Sequence, residues 1–509
     1  MRYFFYIYLL VFSINFVSAQ ETQSQLRIDE IVVTAEFNDV DAYNISSSIS
    51  VISENDIFKR NANHLEDLLF ITPNVNYSSG ASRGKFYQIR GIGERSEFTE
   101  PVNYSVGVII DGIDFTGIAL GASTFDVKQV EVLRGPQGTL YGANALAGLI
   151  NIVSNDPTEN FYSEISGSIS EFGGKDFGII LSNSNDNNFG YRLGIKNSKS
   201  DGFIKNVYLN RDDTNDIDET ISRAKFTKNN DTTKLTLNIF YADIDNGYDA
   251  FSLDNTRTTY SDEPGYDRQK TTAASAKFEK TLRNSHTIEI LASFADSELG
   301  YAYDEDWSNT GICEKTPCDS ALFGFDWWYS SFDSFNRDNT NHSIDLRYIS
   351  NSENTNWVVG LYNRDQDINL IRKYTYLQND FKSSFDTRNS AIYGQFTNNL
   401  TDKIKFQAGL RYEDRKADYL DNNGPIPEGF FCIEIYPRPD SCLFDNKYSK
   451  SENFWGGQIS LQNQIIENTM IYALLSRGYK PGGVNIDGQI SQQNLNYDSE
   501  TMWNYELGV

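Results

Sequence analysis

Histidine is nearly absent from this chain: of 509 residues only His64, His286 and His342 are histidines. They lie far apart in sequence, so a catalytic metal centre has few ligands to draw on. Cysteine is almost as scarce, with four residues. No His-Glu-x-x-His and no paired Cys-x-x-Cys occurs, and no nucleophile, base and metal constellation stands out. No catalytic residue, metal site or cofactor is expected. Basic residues are outnumbered, with 44 Lys and Arg against 70 Asp and Glu and a net charge of −26. A nucleic-acid partner needs a basic footprint and is disfavoured; the acidity is read as solvated loops. Beyond the N-terminus there is no run of about 18 apolar residues, which excludes helical membrane spans. Strands are not excluded, because a barrel strand shows only alternating hydrophobicity.

Aromatic residues, by contrast, make up 14% of the chain, with 31 Tyr and 33 Phe, more than a soluble enzyme needs. An apolar fraction of 39% argues against general disorder. Met1 to Ala19 reads as a secretory signal peptide. Arg2 supplies a positive start, Phe4 to Val17 an apolar core, and Val17-Ser18-Ala19 a small-residue cleavage site. A membrane anchor fits less well, because Ser13 and Asn15 break the short apolar run. Export makes the cysteines interpretable: Cys313 with Cys318 and Cys432 with Cys442 are close in sequence, which favours two local disulfides over a split zinc site. Loop closure gives each roughly 2 to 3 kcal/mol.

The chain is organised around Val130 to Asn155. Val130 to Leu133 and Ile150 to Val153 have strand composition and flank a turn region containing Gly135-Pro136, Gly138 and Gly142. A phosphate-binding loop does not fit, since the closing Lys-Ser/Thr is missing and a strand follows instead of a helix. Together with Ile89-Arg90-Gly91-Ile92-Gly93 and Val108-Ile109-Ile110-Asp111-Gly112, in that order, this stretch resembles the plug of TonB-dependent outer-membrane receptors, of the kind that import iron complexes such as ferric siderophores. The motif positions here are Ile89, Gly91, Asp111, Gly112, Gly135 and Gly142. The resemblance implies an all-β, antiparallel transmembrane barrel in the outer membrane of a Gram-negative bacterium, with an N-terminal α/β plug domain in its lumen.

The residues can also be read without that label. Residues 20–45 are a polar N-terminal segment, periplasmic by what the resemblance implies, and within it Asp29-Glu30-Ile31-Val32-Val33-Thr34-Ala35 is β-prone. Such a segment can add as a strand to a partner's sheet edge. It resembles the TonB box pulled by the TonB-ExbB-ExbD complex; the plainer alternative is the first strand of the next domain. The short stretch between cleavage site and box is expected to leave no room for a signalling domain. Residues 46–157 read as the mixed α/β plug. Ser50 to Ile52 form a strand, Ser53 with Asp56 starts a helix, and Asn63 with Glu66 starts a second one burying Leu65, Leu68 and Leu69. Further strands are expected at Phe86 to Arg90, Val106 to Asp111 and Val130 to Leu133. Arg90 and Arg134, each beside a glycine, are candidate plug-to-barrel locks, because a buried guanidinium needs a carboxylate. The resemblance points to Glu506 as partner, with Glu500 second; ordinary surface arginines are the alternative.

From residue 158 to 509 the period becomes two. Ile404, Phe406, Ala408, Leu410 and Tyr412 alternate with Lys405, Gln407, Gly409, Arg411 and Glu413. Tight turns near 228–233, 282–285, 350–355, 399–402 and 467–468 alternate with long segments near 243–270, 298–341, 418–452 and 477–501. A membrane barrel with short periplasmic turns and long outer loops predicts this alternation. About 14 strands are expected in the sequence and about 22 in a complete barrel of this type, so the chain is expected to lack the last third.

Ligand contact is expected at the plug apex, at Ser82, Arg83 and Arg95 within 79–85 and 94–104, and secondarily at Trp327 and Trp328. For any one of Trp307, Trp327 and Trp328 a place in the headgroup girdle is the preferred reading over ligand stacking. The expected partners are a small ferric chelate, outer-membrane lipid and the TonB complex, with iron present only inside the ligand. Oligosaccharide, haem and cobalamin remain open as substrates, and a passive porin or a secreted all-β adhesin are the readings from other classes.

Overall fold

The computed structural model describes residues 32–34, 37, 40–79, 82–253, 255–282, 285–312, 330–352, 354–377, 379–422, 447–466, 469–486 and 496–509. Two bodies of β-structure make it up, one seated against the other. The first is a five-stranded sheet in the order Ser48–Ser53, Val127–Arg134, Gly148–Ser154, Val106–Ile110, Ile113–Asp114. Val106–Ile110 runs parallel to Gly148–Ser154 and the other pairings are antiparallel. Ile52, Val108, Ile110, Val130, Val132, Ile150 and Ile152 are buried with Leu65 and Leu68 in its core.

Ser53 starts the Glu54–Arg60 helix through a capping box: its hydroxyl accepts from Asp56 N, and the Asp56 carboxylate accepts from Ser53 N. The second helix, Glu66–Leu69, starts differently from expectation. Asp67, not Glu66, accepts from the backbone N–H groups of Asn63 and His64. Glu66 turns instead to Gly84 N and the Arg83 guanidinium, since a cation is a stronger partner for a carboxylate than a backbone amide.

Two of the recognised motifs are tight hairpins. Arg90 and Gly91 have φ of 55° and 79°, and Ile89 and Ile92 exchange both backbone hydrogen bonds across them. Asp111 and Gly112, with φ of 49° and 80°, close the hairpin between Val106–Ile110 and Ile113–Asp114. Positive φ at both central residues is the signature of the type I′ turn, whose twist matches paired strands.

The second body is a 14-stranded antiparallel sheet running from Tyr162–Ile169 to Glu500–Gly508, each strand pairing its sequence neighbour. That is the strand number the alternation predicts. Registry places outward apolar side chains in a continuous row: Leu235, Phe278, Ile290, Leu346, Leu361, Ile392, Tyr412 and Trp455 pair in succession. Such a row is the lipid-facing belt of a membrane barrel. The opposite face is polar and buried, with Glu289, Asp345, Arg364, Asn389, Arg411 and Glu413 all under 9% exposed. Strands near both ends of the sheet touch the first body, through Arg192 and through Glu506. The sheet therefore wraps around the plug.

Candidate functional site

At the plug's foot, Val32–Val33 pairs antiparallel with Val40–Asp41. Val33 is fully buried among Ile45, Leu133 and Leu149. Thr34 donates to Glu131 Oε1 through both its amide and its hydroxyl, at 2.8 and 2.9 Å. Gln129 Nε2 donates to the Val32 carbonyl at 2.7 Å, and Asn151 Nδ2 donates to Thr34 Oγ1 and to Glu131 Oε2. Three residues of the expected box thus sit on the strand Val127–Arg134; Asp29, Glu30, Ile31 and Ala35 lie outside the described residues. Phe37, which sequence reading passed over, is buried against the barrel wall and stacks on Tyr393 with centroids 5.5 Å apart. A lone aromatic in a polar segment was the available signal.

Charge pairs join plug to wall. Arg90 Nη2 meets Glu506 Oε2 at 2.8 Å, Asn504 accepts from its other nitrogen, and Tyr472 OH donates to Glu506 Oε1. The Arg90 residue occupies a left-handed conformation, and Gly135 leaves room beside its guanidinium: a Cβ there would lie 3.3 Å from Arg90 Nη1. Arg134 does not share this partner. Its guanidinium donates to Ser48 and Ser50 inside the plug, because Ser48–Ser53 is the paired neighbour of its own strand. Burial and the nearby Arg90 charge both lower its pKa. Glu500, the second candidate partner, is exposed at the head of its strand.

Sequence reading missed most of the remaining pairs, since each joins residues remote in the chain. Asp126 pairs with Arg192 at 2.6 Å, Asp114 with Arg364 at 3.0 Å, and Glu94 with Lys480 at 2.7 Å. Asp111, a motif position, lies 3.7 and 3.8 Å from Arg223 and Lys225. Ser82 and Arg83, expected at the ligand, are both engaged by the wall. Ser82 donates to Asp267 through amide and hydroxyl, and Arg83 forks onto Glu219 at 2.8 and 3.1 Å. Burial opposes the Arg83 charge, but Glu219 and Glu66 raise its pKa on balance. Gly80 to Gly84 also has the Gly-x-Ser-x-Gly spacing of a nucleophile elbow, overlooked in the sequence. Ser82 Oγ there donates to an aspartate, and among the described residues no histidine hydrogen-bonds to it as a triad requires. Arg95 is exposed at the apex.

The last motif glycine, Gly142, has φ of 65°, and a Cβ on it would fall 2.4 Å from Glu413 Oε2 and 2.8 Å from Arg411 Nε. Arg411 and Glu413 pair at 2.7 Å with each side chain 1% exposed. Between the plug sheet and this part of the wall lies a cavity of about 240 Å³ lined by Thr34, Asp111, Asp114, Arg347, Arg364 and Glu413 among others. On the outer side, Phe335, Phe381, Phe385, Tyr419 and Tyr448 cluster with Tyr301 and Tyr303. Arg372 lies 5.2 Å above the Phe335 ring. Trp307 stacks on Phe251, centroids 4.7 Å apart. Trp327, Trp328, Cys313, Cys318, Cys432 and Cys442 lie outside the described residues.

The Arg90–Glu506 pair carries a first expected result. One partner is a third exposed, so solvent screens it, and Arg90→Ala destabilises plug seating by only about 1 kcal/mol or less. Unfolding of Arg90→Ala, Glu506→Gln and the double variant checks this; a coupling energy well above that value means the pair acts as a buried one.

A compact plug pinned by charge pairs inside a lipid-facing strand wall defines a gated membrane receptor barrel. The chain belongs to the TonB-dependent receptor family: residues 41–149 match the TonB-dependent Receptor Plug Domain and residues 170–509 the TonB dependent receptor-like, beta-barrel. Barrels of this family are outer-membrane proteins of Gram-negative bacteria, and the relatives are transport receptors rather than enzymes. The pesticin receptor of Yersinia enterocolitica is 22% identical over 506 residues, covering 97% of this chain and 69% of that protein. The vitamin B12 transporter of Vibrio vulnificus is 30% identical over 159 residues, covering 31% of this chain and 25% of the transporter. Among solved structures, the ferric yersiniabactin uptake receptor of Yersinia pestis superposes with a TM-score of 0.74 at 20% identity, covering 91% of this chain and 69% of the receptor. The siderophore receptor of Acinetobacter baumannii superposes with a TM-score of 0.71 at 16% identity, covering 92% and 70%.

Proposed function

We propose that this receptor imports a ferric siderophore or another iron complex, driven by the TonB-ExbB-ExbD complex through Asp29 to Ala35. The observation that carries the reading is the docked segment: Thr34 is held by Glu131, on the strand that ends at Arg134 and leads into Gly135, next to the Arg90–Glu506 lock. A pull on the segment acts first on the Thr34 hydrogen bonds and then along that strand to the plug's grip on the wall. Once released from these contacts, such a β-prone segment is what a partner takes up by strand addition.

At the outer mouth, buried aromatic rings pack beside Arg372, whose guanidinium lies over the Phe335 ring and forks onto Asp333 at 2.9 and 2.7 Å. Named relatives that take up or receive siderophores support the siderophore class. Export by residues 1–19, disulfides within the two cysteine pairs, a plug over 46–157 and a barrel from 158 belong to this reading.

Cobalamin is the second reading, favoured by the likeness of 159 residues, 31% of this chain, to the vitamin B12 transporter. Uptake of radiolabelled ferric chelates and of cobalamin by a receptor-deficient host carrying the complete gene separates the two. Uptake of a ferric chelate above the empty-host level is expected; cobalamin uptake with no iron uptake sinks the iron reading and leaves the importer reading standing.

A further inference from the structure

The lipid-facing side of the wall carries one cation that none of the contacts described so far explains. Arg477 lies on the strand Thr469–Lys480 and pairs in register with Gly457 on one side and Trp503 on the other. Gly457 in turn pairs with Leu410, one step along the strands from the belt pair Tyr412 and Trp455. Leu410, Trp455 and Trp503 are all exposed, so the row faces the membrane. Long connections join Asp421 to Lys447 and Lys480 to Glu500, which marks the outer ends of these strands. Arg477 sits near that end, at the outer border of the apolar belt.

Two tryptophans hold the side chain there. Its guanidinium lies 4.0 Å from the Trp455 ring centroid and 5.9 Å from that of Trp503, both within cation–π reach. The two indoles meet edge to face with centroids 5.8 Å apart, and Arg477 Nη1 donates to the Trp455 carbonyl. Four of the five guanidinium N–H groups are left over from that bond. What the group lacks is a counter-charge. Other basic residues on the outward face have one: Lys199 pairs with Asp218, Arg268 with Asp245, Arg388 with Asp365 and Lys416 with Asp418. Among the described residues Arg477 forms no ion pair, and no aspartate or glutamate is near enough to act on its charge. An arginine at the edge of the hydrocarbon is unfavourable unless an anion or water meets it.

We propose that Arg477, clamped between Trp455 and Trp503, binds the phosphate of an outer-leaflet lipid headgroup. The guanidinium fork matches two phosphate oxygens at once. Tryptophan belongs at the headgroup level, and the exposed indole faces give the lipid's apolar part a surface to pack on. The charge pairing of plug and wall plays no part in this site, which opens away from the plug and does not depend on what the receptor imports.

Titration of the complete receptor in detergent with lipid A, with lipid A stripped of its phosphates, and with inorganic phosphate tests the site, bound lipid being counted by native mass spectrometry. Lipid A is expected to bind, and Arg477→Gln is expected to weaken it about tenfold or more, the loss of a charge-assisted hydrogen-bonded pair. Dephosphorylated lipid is expected to bind the intact receptor no better than lipid A binds that variant. Folding of each variant is checked by heat-modifiable migration on gels. If Arg477→Gln does not fold, Arg477→Lys decides, since it keeps the charge and loses the fork: lipid A binding weakened about threefold or more supports the site. Lipid A binding unchanged in whichever variant folds overturns the proposal. So does equal binding of the dephosphorylated lipid, which leaves only apolar contact with the indoles. Displacement of lipid A by millimolar inorganic phosphate also overturns it, since the site then takes anions from solution rather than lipid.

Discussion

Deleting Asp29 to Ala35 leaves outer-membrane assembly and ligand binding at the level of the intact receptor and drops energised uptake to that of a receptor-less host. The expectation follows from where the described part of this segment is attached. Val33 is buried among Ile45, Leu133 and Leu149, and Thr34 bonds to Glu131 and Asn151; none of these residues belongs to the aromatic and arginine cluster at the outer mouth. Removing the segment leaves the Glu131 carboxylate with Gln129 and Asn151 as donors, so the loss of two hydrogen bonds to a charged group costs about 3 to 6 kcal/mol at most, and less where water enters. The ion pairs at Arg83, Arg90, Asp114 and Asp126 stay in place to seat the plug. What disappears is the proposed handle. Binding of labelled chelate to whole cells on ice, followed by uptake on warming, checks both halves. Uptake that persists removes this segment from energy coupling; binding lost together with uptake makes it a structural strand of the plug.

How much of this was legible in the sequence depends on the range of the interaction involved. Asp111-Gly112 and Arg90-Gly91 announce their turns locally, because positive φ at two successive residues admits few residue types, and the hairpins form where expected. The strands of the wall were legible for the same kind of reason: lipid on one side and plug on the other enforce a period of two over each strand, as in 404–413. Side-chain partners were not. Glu66 reads as the capping residue of its helix until Arg83 is brought alongside. Arg134 and Arg90 look equivalent in sequence, yet only the hairpin tip reaches Glu506, while Arg134 faces the serines of the adjacent plug strand. Asp114 and Arg364 meet across 250 residues because plug and wall are docked in a particular rotation, and no local pattern records that rotation.

Arg411→Met produces the largest loss of stability expected of any single substitution in the wall, about 3 to 5 kcal/mol. Arg411 and Glu413 are two apart on the strand Ile404–Asp421, both pointing inward and each 1% exposed. Arg411 also donates to the Leu140 carbonyl of the plug and lies 4.8 Å from the Tyr362 ring centroid. Glu413 accepts from Asn389 Nδ2 at 2.6 Å and from Tyr479 OH at 2.9 Å. Without the guanidinium, those two donors are left to hold a buried carboxylate whose pairing cation is gone, with only the more remote Arg415 still attracting it. If the uncompensated charge is the cause, adding Glu413→Gln to Arg411→Met recovers at least half of the loss, because the amide oxygen still accepts a hydrogen bond and nothing ionised remains. If instead the loss comes from the missing packing on Tyr362 and Leu140, the second substitution recovers nothing. Urea unfolding of the three proteins in detergent, followed by tryptophan fluorescence, distinguishes these causes. The same pair accounts for glycine at position 142, where a Cβ would occupy the space in which the pair meets the plug.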